Sequence, residues 1–499
     1  MKKIFLVSIL NILLFNYALK AQDFLITDFG AKAGISYTNT IAINKAIETC
    51  AGKGGGRVII PAGIFKSGTL LMKDHVTLYL ESGATLLAST DLKDFPVQPQ
   101  PTYRSQKDPA GWRALIYANE VSDIAITGSG TIDGNGAQQK PDPNSKLKGD
   151  LDGRPRNILF ISCKEIRVEG IHMLNSGIWN QHYLNCEDVI VDKINVYNHS
   201  NRNNDGIDID GCRRFTLSNS IFDTDDDGIV LKSTGSAGCE DIVITNCVVS
   251  SFCNAIKTGT ESTGGFKNIS ISNCVIKPSR NQHLISGTPG GIAGLSLEIV
   301  DGGVMDGVSI SNITIEGTNC PLFVRLVNRA RKHTKEAPEP PVGIMRNIVI
   351  SNVVAYHTGN YCSSITGIPG HYVENLSLSN VQFYNVGGLK EGQYNPDIKK
   401  VKEDEKGYPQ PTVWKELPCS GLFIRHAKNI QIRGLMLNSE QLDSRIPVIA
   451  MDVDGLQIQS VSKINNSGAD VFFKGINVKD VDIDKPLGWG KKVMKLEKN

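Results

Sequence analysis

A short apolar strand followed by Ser or Thr and then Asn recurs along this chain, and its spacing restricts the fold more than any other feature. Copies include Ile166-Arg167-Val168, Val189-Ile190-Val191, Phe215-Thr216-Leu217, Ile242-Val243-Ile244, Ile269-Ser270-Ile271, Val308-Ser309-Ile310, Ile348-Val349-Ile350 and Leu376-Ser377-Leu378. Six carry the polar pair, with Asn219, Asn246, Asn273, Asn312, Asn352 and Asn380 at intervals of 27, 27, 39, 40 and 28. Further copies are expected at 430–432 and 456–458. A period of roughly 23–28 residues, each with short strands and polar turns, is the signature of a parallel β-helix. One coil cannot bury its own apolar face, so coils stack with strands about 4.8 Å apart. The Asn residues would then cross-link successive turns. The longer intervals place inserted loops near 278–291 and 329–342. A leucine-rich repeat shares the period, but its Leu consensus is absent, and a propeller blade is longer.

The chain of 499 residues carries a net charge of +2 and no arginine-rich run with interleaved aromatics, so no nucleic-acid partner is expected. Residues 1–21 read as a secretory signal: Met1-Lys2-Lys3, an apolar run from Ile4 to Leu19, and Ala21 before the cut. The run is short of the ~20 apolar residues a membrane span needs. A secreted or periplasmic location is expected, without a lipid anchor. The 11 cysteines are an odd number, and Cys163, Cys186, Cys212 and Cys239 recur with the repeat. That spacing favours buried free thiols stacked on one another over a disulfide framework.

Residues 22–110 form an N-terminal cap and first coils. Within them, Ile41, Ile43, Ala46 and Ile47 suit an amphipathic helix ended by Gly52 to Gly56, and strands follow at 58–60 and 76–80. Residues 111–470 are expected to form the main β-helix, the region that holds the candidate catalytic turns, and 471–499 a capping tail. No second domain or linker is evident.

The chemistry concentrates in two turns one repeat apart. Asn203-Asn204-Asp205-Gly206-Ile207-Asp208-Ile209-Asp210 is echoed by Asp226-Asp227-Gly228-Ile229-Val230-Leu231-Lys232. Aligning Gly206 with Gly228 turns Ile207, Ile209, Ile229 and Leu231 inward and Asp208, Asp210, Val230 and Lys232 outward. Asp205 then stands over Asp227 with Asp226 beside it, the carboxylates within roughly 5–10 Å. Crowded carboxylates raise one another's pKa, so one keeps its proton near neutral pH. Glycosidic cleavage needs that combination of an acid and a base. Structural Asp turns and a Ca²⁺ site are the rival readings of the same residues.

Several stretches resemble the family 28 glycoside hydrolases, the polygalacturonase family. They are Asp28-Phe29-Gly30-Ala31, Gly54 to Gly56 with Ile60-Pro61-Ala62-Gly63, Gly130-Thr131-Ile132-Asp133-Gly134-Asn135-Gly136, and above all Asn203-Asn204-Asp205-Gly206 with Asp226-Asp227. The resemblance implies an all-β, right-handed parallel β-helix, an inverting mechanism, Asp226 as general acid, Asp205 and Asp227 holding and activating water, and no metal or cofactor. It also exposes two departures. Asn254 stands where polygalacturonases carry His, and Ser296 and Glu298 stand where they carry an Arg-x-Lys that grips a uronate. The missing His resembles the rhamnogalacturonan-hydrolase branch.

Candidate substrate contacts are Asn203, Asn254, Lys232, Lys257 and Glu298 along the outward ladder, with a Lys–Glu298 pairing as the alternative. Arg325 and Arg329, at the start of a basic loop, join them. Trp179 and His182 lie one coil before Asp205 and could stack on a sugar. Glu261 and His283 are weaker candidates, and the Arg425-His426 pair reads as structural. The expected function is hydrolysis of an α-linked, uronate-containing polysaccharide of pectin or rhamnogalacturonan type by a monomer. A lyase on the same fold, or a non-catalytic glycan-binding β-helix, is the alternative.

Overall fold

The computed structural model describes residues 22–139 and 153–498; the signal segment expected at 1–21 lies outside them. The described residues form 33 strands of one continuous sheet, wound as a right-handed parallel β-helix. Each coil contributes a strand to each of three stacks. Arg156–Ile161, Lys164–Glu169 and His172–Leu174 make one coil. They pair in parallel with Gln181–Leu184, Glu187–Asp192 and Asn195–Asn198 of the next. From Phe266 onward the second and third strands of a coil merge, as in Val304–Glu316.

Period-two alternation sets what each strand buries. Ile209, Leu231, Thr258, Leu297 and Val324 form one inward file, each at most 1% exposed. Each fully buried aliphatic member stabilises the stack by about 1.5–3 kcal/mol relative to exposure. The Asn residues form the expected ladder. Asn246 donates to Asn219 at 3.2 Å, Asn312 to Asn273 at 3.0 Å, and Asn380 to Asn352 at 3.1 Å. All sit near φ +51 to +56°, the left-handed region that Asn tolerates. A second ladder, Asn429 to Asn375 to Asn347, runs at the start of the same strands.

The eleven cysteines are buried and free. Cys186, Cys212 and Cys239 donate to Phe160, Tyr183 and Ile209 carbonyls of the preceding coil at 3.2–3.4 Å, a second tie between coils. The helix spans Thr40–Gly52 and buries Ile43, Ala46, Ile47 and Cys50, closing the N-terminal end of the core. Ile41, expected on its apolar face, is 85% exposed. Val471–Ile483 and Lys492–Glu497 continue the parallel stacking, and buried Trp489 packs on Phe472 at the far end. Among the described residues no helix is long and apolar enough to cross a membrane.

Candidate active site

Six consecutive strands of the first stack carry the site: β1 Gln181–Leu184, β2 Ile207–Asp210, β3 Ile229–Ser233, β4 Asn254–Ser262, β5 Ala293–Ile299 and β6 Cys320–Leu326. Their register aligns His182, Asp208, Val230, Lys257, Ser296 and Phe323 in one outward file. Asp210 pairs with Lys232, as the repeat predicts. The turns that enter β2 and β3 need glycine because of close packing. A Cβ on Gly206 would lie 2.5 Å from the Gly228 oxygen, and one on Gly228 would lie 2.6 Å from the Ala255 oxygen.

These turns hold the three acids together. Asn204 ties down the first by donating to the Ser176 and Ile178 carbonyls and accepting from the Ser200 and Asn201 amides. Asp205 is 3% exposed, and its Oδ1 has no hydrogen-bond partner among the described residues. Asp226 accepts from the Asp227 amide at 2.9 Å. Asp227 is held from two sides. Its Oδ1 accepts from the Asn254 backbone and side-chain nitrogens at 3.0 and 2.7 Å, and its Oδ2 meets Lys257 Nζ at 3.1 Å.

Electrostatics separates the acids. Burial, helped by Asp208 and Asp226, pushes Asp205 well above the usual carboxylate range. Burial and the charge of Asp227 push Asp226 up to about 6. Burial also acts on Asp227, but Lys257, Lys232 and Asn254 outweigh it and hold its carboxyl below the usual range. Asp208, beneath them, is pushed up to about 7 by burial, with Lys232 at 3.5 Å opposing. Below about pH 6 the site therefore contains a proton-bearing acid directly beside a carboxylate kept ionised, a division that suits general acid–base work.

A cavity of about 200 Å³ opens over these groups. Trp179 forms one wall, with Lys232 Nζ 4.7 Å and Lys107 Nζ 4.8 Å from its ring centroid. Both lysines also reach Glu261, at 3.6 and 3.1 Å. Glu261 gets there through a bulge in β4, where the register against β3 shifts between Leu231 and Ser233. Asn203, Arg329, Arg331 and Tyr408 complete the lining, and the Tyr408 hydroxyl oxygen accepts from Lys257 Nζ at 3.0 Å. Below about pH 6, where Asp226 keeps its proton, the cations Lys107, Lys232, Arg329 and Arg331 outnumber the anions Asp227 and Glu261.

Other sequence candidates sit elsewhere. His182 is fully buried, bonded to Asp210 at 3.0 Å with the Trp179 edge against it, so Trp179 and not His182 reaches the cavity. Glu298 is fully buried and accepts from Ser296 at 2.7 Å; burial pushes it up to about 7. Neither lysine pairs with it, because Lys257 takes Asp227 and Lys232 takes Glu261. Asn254 positions Asp227. Arg325 is buried and donates to the Gly367 and Glu403 carbonyls, so it does not belong to a solvated loop. Arg329 lines the cavity while paired to Asp301. His283 is exposed outside the lining. Arg425 and His426 anchor the 388–418 insertion through Val401, Lys402 and Glu403.

Lys107, Thr260, Arg331 and Tyr408 were not foreseen. Lys107 lies far from the Asp turns in sequence and is delivered by a segment bridged to Gly235 through Ser105. Tyr408 comes from an insertion with no repeat register. Asp226, Asp227 and Cys253 have donor atoms within 4.8 Å of one another, a spacing a metal ion could span. The donors fit poorly: burial keeps the Cys253 thiol protonated, and Lys257 and Asn254 already satisfy Asp227.

The chain resembles known proteins in sequence and fold. It is 30% identical over 223 residues to a probable polygalacturonase of Vitis vinifera, covering 43% of this chain and 45% of that protein. It is 29% identical over 247 residues to an exo-poly-alpha-D-galacturonosidase of Dickeya chrysanthemi, covering 41% of each. The matches thus span less than half the length of these curated relatives. In fold it superposes on a hyperthermoactive exopolygalacturonase from Thermotoga maritima with a TM-score of 0.64 at 21% identity, covering 84% of this chain and 92% of that one. The glycosyl hydrolases family 28 model matches residues 50–405, most of the described β-helix and all three acidic residues of the site, and the chain belongs to that family.

Proposed function

We propose that this chain is an exported hydrolase that cleaves an α-linked, uronate-containing polysaccharide of pectin or rhamnogalacturonan type with inversion. The observation that carries the reading is the pairing of Asp226, at about 6, with Asp227, held ionised by Lys257 and Asn254. Asp226 gives its proton to the glycosidic oxygen as the bond to the anomeric carbon breaks. Water adds to that carbon from the opposite face and loses a proton to the Asp205–Asp227 pair. These acids titrate as a set, so the ionised state of Asp227 and the protonated state of Asp205 in the empty site describe one shared proton inventory.

A uronate is supported by the cationic lining from Lys107, Lys232, Arg329 and Arg331. It replaces the Arg-x-Lys grip that Ser296 and Glu298 cannot supply. Trp179 offers an apolar face for a sugar ring. The loop residues Tyr408 and Arg331 narrow the cavity, which supports release of short products from a chain end. The relatives named for galacturonan cleavage agree with this substrate class. The segment at 1–21 supports export, and the chain is read as acting alone.

The test is a panel of pectic and other acidic oligosaccharides, read by product chromatography and anomer analysis, with wild type and Asp226→Asn. New reducing ends that require Asp226 are expected. Unsaturated, ultraviolet-absorbing products would instead identify a lyase. Binding without cleavage, equal in both proteins, would identify a glycan-binding module.

A further inference from the structure

A second, larger cavity of about 700 Å³ adjoins the catalytic one and has no role in the chemistry above. Its size lies within the roughly 300–1,000 Å³ of typical ligand sites, ample for more than one sugar unit. One wall is the segment around Arg104 to Pro109, and the other is the 331–336 stretch of the inserted loop. Arg331 lines both cavities, and Lys107, in the segment that forms the first wall, lines the catalytic one, so the two adjoin.

The walls are fastened in place by one buried residue. Asp301 is fully buried at the end of the coil that carries β5. It pairs with Arg329 and accepts from the Arg331 amide at 2.9 Å, fixing the loop wall. On the other side it accepts from Gln106 Nε2 at 3.4 Å, while the Gln106 amide donates to the Thr234 carbonyl at 2.8 Å. The lining is cationic. Arg104, Arg331, Lys332 and Lys335 face Asp108 and Glu336, and Asp108 is already engaged by Arg104 at 2.6 Å and the Ser105 amide at 3.2 Å. Arg331, Lys332 and Lys335 form no ion pair among the described residues; Lys332 Nζ donates to the Lys335 carbonyl at 2.9 Å, which holds the two ammonium groups on one short stretch of loop where they can meet an external anion.

We infer that this cavity is a remote subsite for acidic sugar units of the same substrate chain, held beyond the bond being cleaved. The inference rests on the hydrolase reading above for its substrate class. It makes the enzyme selective for longer acidic chains, because only they reach from the Asp cluster past Arg331 to Lys332 and Lys335.

The test compares a dimer and longer oligomers of galacturonic acid on wild type, Lys332→Glu/Lys335→Glu and Lys332→Arg/Lys335→Arg. The charge-reversed protein is expected to raise KM for long oligomers by roughly tenfold, as lost charge-assisted contacts would, while kcat and the dimer constants stay within about twofold. The arginine variant is expected to keep the wild-type values, which separates charge from misfolding. An unchanged KM for long oligomers, or an equal rise for dimer and long oligomers, overturns the inference. Calorimetric binding of the same oligomers to Asp226→Asn protein separates the two claims. If wild type cleaves nothing but long oligomers still bind through Lys332 and Lys335, the hydrolase reading fails and the subsite stands. If wild type cleaves and neither lysine matters, only the subsite fails.

Discussion

Lys257→Met tests the electrostatic core of the site. Lys257 is 1% exposed, and its ammonium lies 3.1 Å from Asp227 Oδ2 and 3.0 Å from the Tyr408 hydroxyl. Met keeps the length of the side chain and removes the charge. Breaking a buried pair by deleting one partner costs about 3–5 kcal/mol, because the remaining charge is left uncompensated. At about 1.36 kcal/mol per unit, this would raise Asp227 by about 2–4 pH units. The sign follows from linkage. In wild type the folded-state pKa of Asp227 is depressed, so its contribution to stability is present above the unfolded value and is lost as pH falls through the folded one. In the variant the folded pKa lies above the unfolded value, so the ionised form opposes folding. The stability difference between the proteins should therefore be small near pH 3, open as pH rises, and level off near pH 7. Urea denaturation across that range measures it. A difference that stays constant with pH would show that Lys257 matters through packing and not through its charge. Adding Asp227→Asn to the variant should recover most of the loss at pH 7, since no buried charge then remains.

Three further outcomes follow from the same geometry. For kcat/KM, Asp226 at about 6 predicts a tenfold fall per pH unit above about 6, and ionised Asp227 predicts no acid limb until below the usual carboxylate range; an alkaline limb that persists unchanged in residual Asp226→Asn activity would refute the assignment. Asn273→Ala removes side-chain bonds to Asn246 and from Asn312 and places Ala at φ +55°, so thermal unfolding should show a loss of about 2 kcal/mol, with Asn273→Gly recovering roughly half; equal losses would assign the whole effect to the ladder bonds. Prolonged chelation should leave hydrolysis unchanged, because Lys257 and Asn254 already satisfy Asp227; a loss restored by Ca²⁺ would show that the acids hold an ion.

The repeat and the acid cluster were legible because both are short-range patterns. Alternation decides which residues face inward, and a fixed period decides which residues stack. The Asn ladder, the cysteine file and the placing of Asp205 by Asp227 therefore followed from residue numbers. A second Asn ladder, at Asn347, Asn375 and Asn429, was equally available in the recurring Asn before each strand.

What alternation could not say is whether an outward residue meets water. His182, Asp208, Lys257 and Glu298 all point away from the coil interior, yet each is at most 1% exposed. Inserted segments lie over that face and bring Trp112, Lys107 and Tyr408 onto it. Their positions depend on long-range contacts, such as Ser105 with Gly235 and Arg425 with Val401, which leave no periodic trace. Burial then changed the chemistry: it raised Asp226 and Glu298, made Lys257 the partner of Asp227, and turned Asn254 into a support for that carboxylate. Local alternation and a fixed repeat are enough to specify the coil, its register and the three acids. Which charges around them are desolvated depends on long-range packing of the inserted segments, and desolvation sets which acid holds the proton.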